Sequence, residues 1–524
     1  MAQIPDKNVE EVRFLTFNVN GLRTFFHYHP FNNMNNSLAK VFDHFKSDII
    51  TFQELKTDLP ALTRWGKVKG YYSFISIPVS RRGYSGVGCW IRIPDPEDPL
   101  FKLLEVVKAE EGITGFLDVK FNKSRCRYRD NEMLGIGGYE SLGIEDAHEA
   151  LALDSEGRCV MVELQFNVVV INVYCPANSM DTDQGEEFRL KFLKVLFRRI
   201  RNLRAAGKTI VLMGDINVCR DLIDQSASLK VNGITVTSLT KGTAVEAENP
   251  RAVKNFIYAP ARPARRLLNE MLADSVLPHL ATTGTLIDTT REVQGRDRMQ
   301  MYTVWNTLKN MRPINYGSRV DYILVSKESR DMIRKSDIWP HIMGSDHCPV
   351  FADLRLNTGL RPGESDRKVS SVVPFEAKYK YGLNHMDITS MFSRVAKPAA
   401  TTNTSIKDQK RIHKPTIATV KERNLAPFQN LQNSPSPHDV MRSSEDISTR
   451  VTPAPLVPAN RSESFFTMLN GMLEKPPQCK HNENAIMRTS KTSANPGKKF
   501  WVCARPNGAP ADSEASCGFF QWKT

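Results

Sequence analysis

The sequence predicts an α/β domain of buried sheets and flanking helices over residues 1–356. A disordered linker over 357–475 and a small cysteine- and histidine-bearing module over 476–524 are expected to follow. Three observations carry this. Short β-branched runs alternate with helical patterns as far as about Leu356, the apolar pattern then dissolves, and three cysteines crowd the last stretch of the chain.

The strand candidates are "VRFLTFNV", "DIITFQEL", "YYSFISIPV", "GVGCWIRI", "GRCVMVELQFNVVVINVYC", "KTIVLMGDINV", "RVDYILVS" and "HCPVFADLRL". Several are too apolar to leave one face in water, so the sheets should be covered on both sides. "GEEFRLKFLKVLFRRIRNLRAAG", Gly185 to Gly207, has helical apolar spacing, acidic residues in its first turn, basic ones later and a glycine suited to its C-cap.

From Asn357 to about Lys475 the composition turns to Ser, Thr, Pro and Asn, with too few apolar residues to offset the entropy of ordering. Two apolar islands interrupt it, "HMDITSMF" (His385 to Phe392) and "SFFTMLNGML" (Ser464 to Leu473). A chain of 524 residues is long enough for two or three such units.

Composition narrows the function classes. No apolar run approaches the roughly 20 residues that span a bilayer, and "MAQIPDKNVEEV" lacks a secretory core, so neither a membrane partner nor export is expected. Six cysteines (Cys89, Cys126, Cys159, Cys175, Cys219, Cys348) stand singly, which suits a reducing compartment better than a disulfide framework. Of the net charge of +14, +10 lies after Leu356, where 24 Lys and Arg stand against 14 Asp and Glu. A polyanionic partner fits that bias.

Chemistry-bearing side chains recur at strand ends: Asn18 and Asn20 in "TFNVNG", Glu54 in "TFQEL", Asp215 and Asn217 in "MGDINV", Asp321 in "RVDYIL", and Asp346 with His347 in "GSDHCPVF". Singly, each has a plain structural use as a turn, a cap or a surface group. Together they offer hard oxygen donors and one histidine, the set a magnesium-dependent phosphodiesterase needs.

"LTFNVNGLR", "QE", "GDINV", "NYGSRVDYIL" and "GSDHCPV", in that order, resemble the exonuclease III family of AP endonucleases over residues 1–356. The resemblance implies a four-layer α/β sandwich, the endonuclease/exonuclease/phosphatase fold, and DNA-repair hydrolysis with Mg²⁺ or Mn²⁺. Asn18, Asn20, Glu54, Asp215, Asn217, Asp346 and His347 would then surround the metal. Asp215 would orient or deprotonate water, Asn217 would lie beside the phosphate, His347 with Asp321 would steady its charge, and Tyr174 of "NVYCP" would steer the phosphate or leaving group.

The same resemblance makes Arg23 and Asn178 DNA contacts, although "YCPAN" departs from the family spacing by one residue. Val304 and Ser318 stand where the major AP endonucleases carry aromatics around the abasic sugar, beside Trp305. Losing both would widen the pocket and favour exonuclease over abasic-site cleavage.

An inositol or lipid phosphatase of the same fold and a non-catalytic DNA-binding scaffold are the alternatives. Arg23 after "NGL" and the basic module argue against the first, and the complete acidic set argues against the second.

Cys479, His481, Cys503 and Cys517 form a tetrahedral zinc donor set. Around them stand Trp501, Phe520, Arg488, Lys498, Lys499 and Arg505, the aromatic-plus-cation mixture of a single-strand reader. This segment resembles the GRF-type zinc finger, with "CGFF" in place of its Gly-Arg-Phe. In "HMDITSMF", His385, Ile388, Met391 and Phe392 resemble a degenerate sliding-clamp box. A monomeric nuclear protein is expected, with a mitochondrial pool left open.

Overall fold

The computed structural model describes residues 4–79, 83–144, 146–179, 182–356, 372–383, 477–490, 495, 498–505 and 515–523. The clamp-like box over 385–392 and the second apolar island lie outside them. Twelve strands build two six-stranded sheets. In chain order they are β1 (Val12–Asn18), β2 (Ile49–Gln53), β3 (Tyr71–Ser76), β4 (Val87–Arg92), β5 (Val106–Glu111), β6 (Cys159–Leu164), β7 (Val168–Tyr174), β8 (Thr209–Asp215), β9 (Leu286–Asp288), β10 (Asp321–Ser326), β11 (Ile333–Ile338) and β12 (Val350–Leu354).

The first sheet runs β11-β12-β1-β2-β4-β3 and the second β9-β10-β8-β7-β6-β5. Each holds one parallel pair, β1 with β2 and β7 with β8, among antiparallel neighbours.

The strands are apolar on both faces because both faces are covered. In β1, Val12 and Phe14 point into the core between the sheets with Val160 and Met213. Leu15 and Phe17 point the other way, onto Phe42 and Phe45 of helix α1 (Leu38–Phe45). Behind the second sheet, Val169, Ile171 and Val173 meet Phe192, Leu196 and Ile200 of helix α2 (Asp183–Ala205). Period-two alternation thus gives four layers: helix, sheet, sheet, helix. Thr182 caps α2 by accepting from the Gly185 amide, and Gly207 follows the helix with φ +78°.

Two local features shape the rim where the site lies. Gly214 has φ +133°, and a Cβ there would sit 2.1 Å from the Val173 carbonyl oxygen, so only glycine lets β8 run this close to β7 just before Asp215. Between the sheets, Gln53 Nε2 donates to Asn172 Oδ1 at 2.8 Å and to Thr16 Oγ1 at 2.9 Å. Asn172 Nδ2 donates in turn to the Gly88 carbonyl at 2.8 Å. This buried network ties the two sheets together beneath the site, with Gln53 Oε1 left without a partner among the described residues.

The catalytic fold uses residues beyond the expected end at 356. In the segment 372–383, Phe375 and Ala377 are fully buried. Phe375 packs on Phe74 and Tyr128 with ring centroids 6.0 and 6.4 Å away, and Tyr381 Oη donates to the Ile75 carbonyl at 2.9 Å.

At the other end of the chain, β13 (Ile486–Thr489), β14 (Lys499–Val502) and β15 (Phe520–Trp522) form a small antiparallel sheet. Among the described residues no helix is long and apolar enough to cross a membrane.

Candidate active site

The second sheet delivers three functional side chains in one row. Asp215, ending β8, is in register with Tyr174, ending β7, and with Asp321, opening β10. Residues level with each other on neighbouring strands project from the same face, so the row points together toward the first sheet. From there Asn18 ends β1, and Glu54 follows β2 with φ +51°.

Asn18 Nδ2 donates to Glu54 Oε1 and to Asp215 Oδ2, both at 2.9 Å, and so stitches the sheets' carboxylates together. Its side-chain oxygen accepts the Asn20 amide at 3.0 Å.

One ligand atom each from Glu54, Asp215 and His347 falls within a 4.8 Å cluster. Burial works against the Glu54 charge, but hydrogen bonds from Lys56 and Asn18 hold its carboxyl below the usual range. Burial, then the Asp321 charge, push Asp215 up to about 8 against the pull of His347. Burial also opposes the His347 charge, yet Asp321 outweighs it, and with Asp215 and Asp346 carries the imidazole up to about 10. Nδ1 lies 2.8 Å from Asp321 Oδ2, and Nε2 lies 4.0 Å from Asp215 Oδ2.

A charged imidazole has no free lone pair. Held by Asp321 at Nδ1, His347 brings a cation beside the Glu54 and Asp215 oxygens in its charged form and offers Nε2 as a ligand atom in its neutral form. The oxygen donors of Glu54 and Asp215 suit a hard divalent cation. Asp346 stands outside that cluster and joins it through Asn20, whose Nδ2 donates to Asp346 Oδ1 at 2.8 Å. Lys56 was not foreseen, although it sits two residues beyond Glu54. Its ammonium bridges Glu54 Oε2, at 2.8 Å, and Asn20 Oδ1, so a cation already rests on two of the expected metal-site oxygens.

The Asp346–His347 turn is clamped from two sides. Trp305 N donates to the Asp346 carbonyl at 3.0 Å and Cys348 N to the Thr303 carbonyl at 2.8 Å. Opposite them, the Arg312 guanidinium donates to the carbonyls of Ser345 (2.9 Å), His347 (3.2 Å), Pro340 (3.0 Å) and Ile342 (2.8 Å). It also lies 4.5 Å over the Trp305 ring. Nothing local in "NMRPIN" announces this role, because every partner lies far along the chain.

Trp305 is 3% exposed and its indole N–H donates to Asn315 Oδ1 at 3.0 Å. It is absent from the lining of the cavity beside His347, but it lines a second one, of about 500 Å³, together with the same Val304 and Ser318 and with Asp346.

Tyr174 has its hydroxyl pKa raised by burial first, then by Glu54 and Asp215. The Arg158 guanidinium, another contact the sequence hid, lies 4.9 Å over its ring. Asn217 N donates to Asp215 Oδ1 at 2.9 Å and its Nδ2 to the Cys175 carbonyl at 2.9 Å. Asn178 lines the cavity beside His347 and is bonded into the start of α2, where its Oδ1 accepts from Thr182 N at 3.2 Å. Arg23 is exposed and 3.5 Å from Asp58.

In the terminal module Cys479, His481, Cys503 and Cys517 place their ligand atoms within 4.8 Å of one another. Both Cys479 and Cys503 Sγ lie close to His481 Nδ1, at 3.6 and 3.5 Å. Three sulfurs and one imidazole in that space fit a structural zinc ion. Register sorts the surrounding residues. Arg488, Phe500 and Trp522 are level across β13, β14 and β15, and Val502 is level with Phe520, all on one face. Phe500, Phe520 and Trp522 touch in a cluster with centroids 5.0 to 5.4 Å apart.

Trp501, level with Met487 and Gln521, belongs to the opposite face, so one strand of nucleic acid cannot stack on it and on Phe520 together. Arg505 forks onto Glu483 at 2.6 and 3.1 Å. Arg488, Lys498 and Lys499 are exposed.

Comparison with known proteins agrees with this geometry. The Endonuclease/Exonuclease/phosphatase family profile matches residues 15–347, and the GRF zinc finger profile matches 477–524. The chain is 50% identical over 523 residues to the DNA-(apurinic or apyrimidinic site) endonuclease 2 of Saccharomyces cerevisiae, covering 98% of both chains. It is 26% identical to that of Homo sapiens, covering 98% of this chain and 99% of the relative. The crystal structure of the Xenopus laevis APE2 catalytic domain superposes with a TM-score of 0.53 at 25% identity, covering 70% of this chain and 97% of that one. With its two-sheet nuclease domain and its zinc-binding module, the chain belongs to the DNA-(apurinic or apyrimidinic site) endonuclease 2 family.

Proposed function

We propose that this enzyme hydrolyses DNA phosphodiesters at 3′ ends, with 3′-to-5′ exonuclease and 3′-phosphodiesterase activity exceeding its cleavage at abasic sites. The observation that carries the reading is the Asp321–His347–Asp215 arrangement facing Glu54 across the two sheet ends. One charged histidine and one high-pKa carboxylate, side by side, suit an anionic substrate and a water that must lose a proton.

When bound, Mg²⁺ or Mn²⁺ supplies charge neutralisation at the phosphate. Glu54 would hold it, with Asn18, Asn20 and Asp346 adjoining. Asn18 keeps the Glu54 and Asp215 carboxylates at a fixed separation through its two donated hydrogen bonds. Asp215 aligns the attacking water and accepts its proton. His347 points its Nε2–H at the phosphate, while Asp321 fixes the ring through Nδ1 and keeps it charged. Asn217 borders the phosphate, and Tyr174, on the same row as Asp215, reaches the phosphate or the leaving oxygen.

The aromatic face of the zinc module adds single-strand affinity. Action in the nucleus, a mitochondrial pool left open, and a sliding-clamp contact through His385, Ile388, Met391 and Phe392 complete the reading. The clamp contact rests on sequence alone.

The test is incubation of the full chain with labelled duplexes bearing a recessed 3′ end, a blocked 3′ end or an internal abasic site, with each metal. Metal-dependent trimming of the 3′ ends, faster than abasic-site cleavage, is expected. Cleavage in the presence of chelator, or abasic sites cut faster than 3′ ends, overturns it.

A further inference from the structure

A cavity of about 300 Å³ opens from the catalytic row. Asn217 and His347 form its side toward the reacting phosphate, and Val304 and Ser318 form an uncharged flank. Its remaining wall carries Arg189, Arg262 and Arg265, and no Asp or Glu belongs to the described lining. Arg189 faces Glu186 and His347 faces Asp321, whereas Arg265 is held by neutral groups, so its charge favours an anion in this space. The scissile phosphate meets His347 and Asn217, so the arginine wall calls for a second negative group.

Arg265 is built for that group. It follows Ala264 at the start of helix α3 (Ala264–Asn269), and its guanidinium lies 3.6 Å from the centroid of the Phe256 ring. Its Nη1 donates to the Phe256 carbonyl at 3.2 Å and its Nη2 to Gln225 Oε1 at 2.9 Å. Both partners are neutral, so they orient the fork without cancelling its charge. Burial, then the like charges of Arg262 and Arg189, hold its pKa below the usual guanidinium value, partly offset by Cys219. Arg189 differs: it pairs with Glu186 at 3.3 Å, and its Nη2 donates to the Asn217 carbonyl at 2.6 Å. It therefore braces the wall against the phosphate side.

We propose that this wall binds a second phosphate of the substrate strand, one nucleotide from the scissile phosphate, with Arg265 as its principal contact. The proposal rests on the nuclease reading above. A DNA strand carries a phosphate at every nucleotide, and a forked guanidinium is matched to it. At an internal site the next phosphodiester supplies the charge, and at a strand end only a 3′-phosphate does.

The step is simple hydrolysis. The water oxygen bonds to phosphorus, the bond from phosphorus to the 3′-oxygen of the preceding nucleotide breaks, and that oxygen takes up a proton. From a 3′-phosphorylated end the released product is a nucleoside 3′,5′-bisphosphate.

The test uses the full chain with Mn²⁺ and three labelled recessed strands, ending in a 3′-hydroxyl, a 3′-phosphate or an uncharged 3′-methoxy group. The 3′-phosphate strand should show roughly tenfold higher kcat/KM than the 3′-methoxy strand, as one charge-assisted contact allows. It should release the bisphosphate, and Arg265→Gln should bring the ratio close to one. A wild-type ratio near one, inorganic phosphate as the sole product, or a ratio unchanged in Arg265→Gln overturns the proposal. If a thermal melt shows that Arg265→Gln does not fold, Arg265→Lys is read instead. Losing the fork should lower the ratio, and an unchanged ratio overturns the proposal. Failure of wild type to cut any of the three strands condemns the nuclease reading itself and is told apart on that ground.

Discussion

Asp215 and Asp321 stand level on neighbouring antiparallel strands, both 1% exposed, yet only Asp321 holds the His347 ring through Nδ1. The two carboxylates therefore divide the work. Asp321 keeps a histidine charged, and the charge of Asp321 in turn raises the pKa of Asp215.

Replacing Asp321 with Asn removes the largest influence that raises the His347 pKa to about 10. A histidine is charged below its pKa, so lowering that pKa moves the alkaline loss of activity to lower pH. The alkaline limb of the kcat/KM profile should lie near 10 in wild type and at clearly lower pH in Asp321→Asn. Coincident limbs would show that His347 does not act as a cation.

Arg312→Ala should lower kcat roughly tenfold or more with little change in KM, because it loosens the turn that carries Asp346 and His347 rather than a substrate contact. Arg312→Lys should restore little, since a point-like ammonium cannot reach four carbonyls held by a planar fork. Added guanidinium ion should recover part of the rate of Arg312→Ala. A KM change alone would contradict the clamp.

On the zinc module, Trp522→Ala should weaken single-strand binding by about tenfold, in line with roughly 1–3 kcal/mol per stacked base. Trp501→Ala, on the opposite face, should leave that affinity unchanged. Titration of a labelled oligonucleotide checks both, and equal losses would dissolve the distinction between the faces.

In the cavity beside His347, Val304→Phe with Ser318→Trp should shift the enzyme toward abasic sites. Trp305, held by Asn315 through its indole N–H, is not among the residues that line this cavity. The ratio of abasic-site cleavage to exonuclease on matched duplexes should rise, and an unchanged ratio would count against a pocket-based preference.

The sheets were legible because strands buried on both faces carry unbroken apolar runs, as "FLTFNV" and "NVVVINVY" do. The catalytic row was legible because its members sit at strand ends in short, ordered motifs. What stayed hidden depends on contacts distant in sequence or on register. Arg312 meets carbonyls 28 to 35 residues away. Phe375 packs on Phe74 from within a Ser- and Pro-containing stretch that reads as linker. Trp501 and Phe520 are separated by sheet parity, and pairing register fixes that parity where composition does not. Arg265 lines a cavity whose other walls come from around residues 177–189, 217–225, 304–320 and 347.

The central claim is that Glu54 and Asp215 together run a metal-dependent hydrolysis of DNA. It is tested most directly by single-turnover cleavage of a labelled duplex with a recessed 3′ end, over a series of Mg²⁺ and Mn²⁺ concentrations. Wild type, Glu54→Ala and Asp215→Asn are compared, with DNA affinity measured alongside. Both variants should bind the duplex as wild type does and cleave it roughly a hundredfold or more slowly at saturating metal. Cleavage by either variant at the wild-type rate under those conditions would contradict the account.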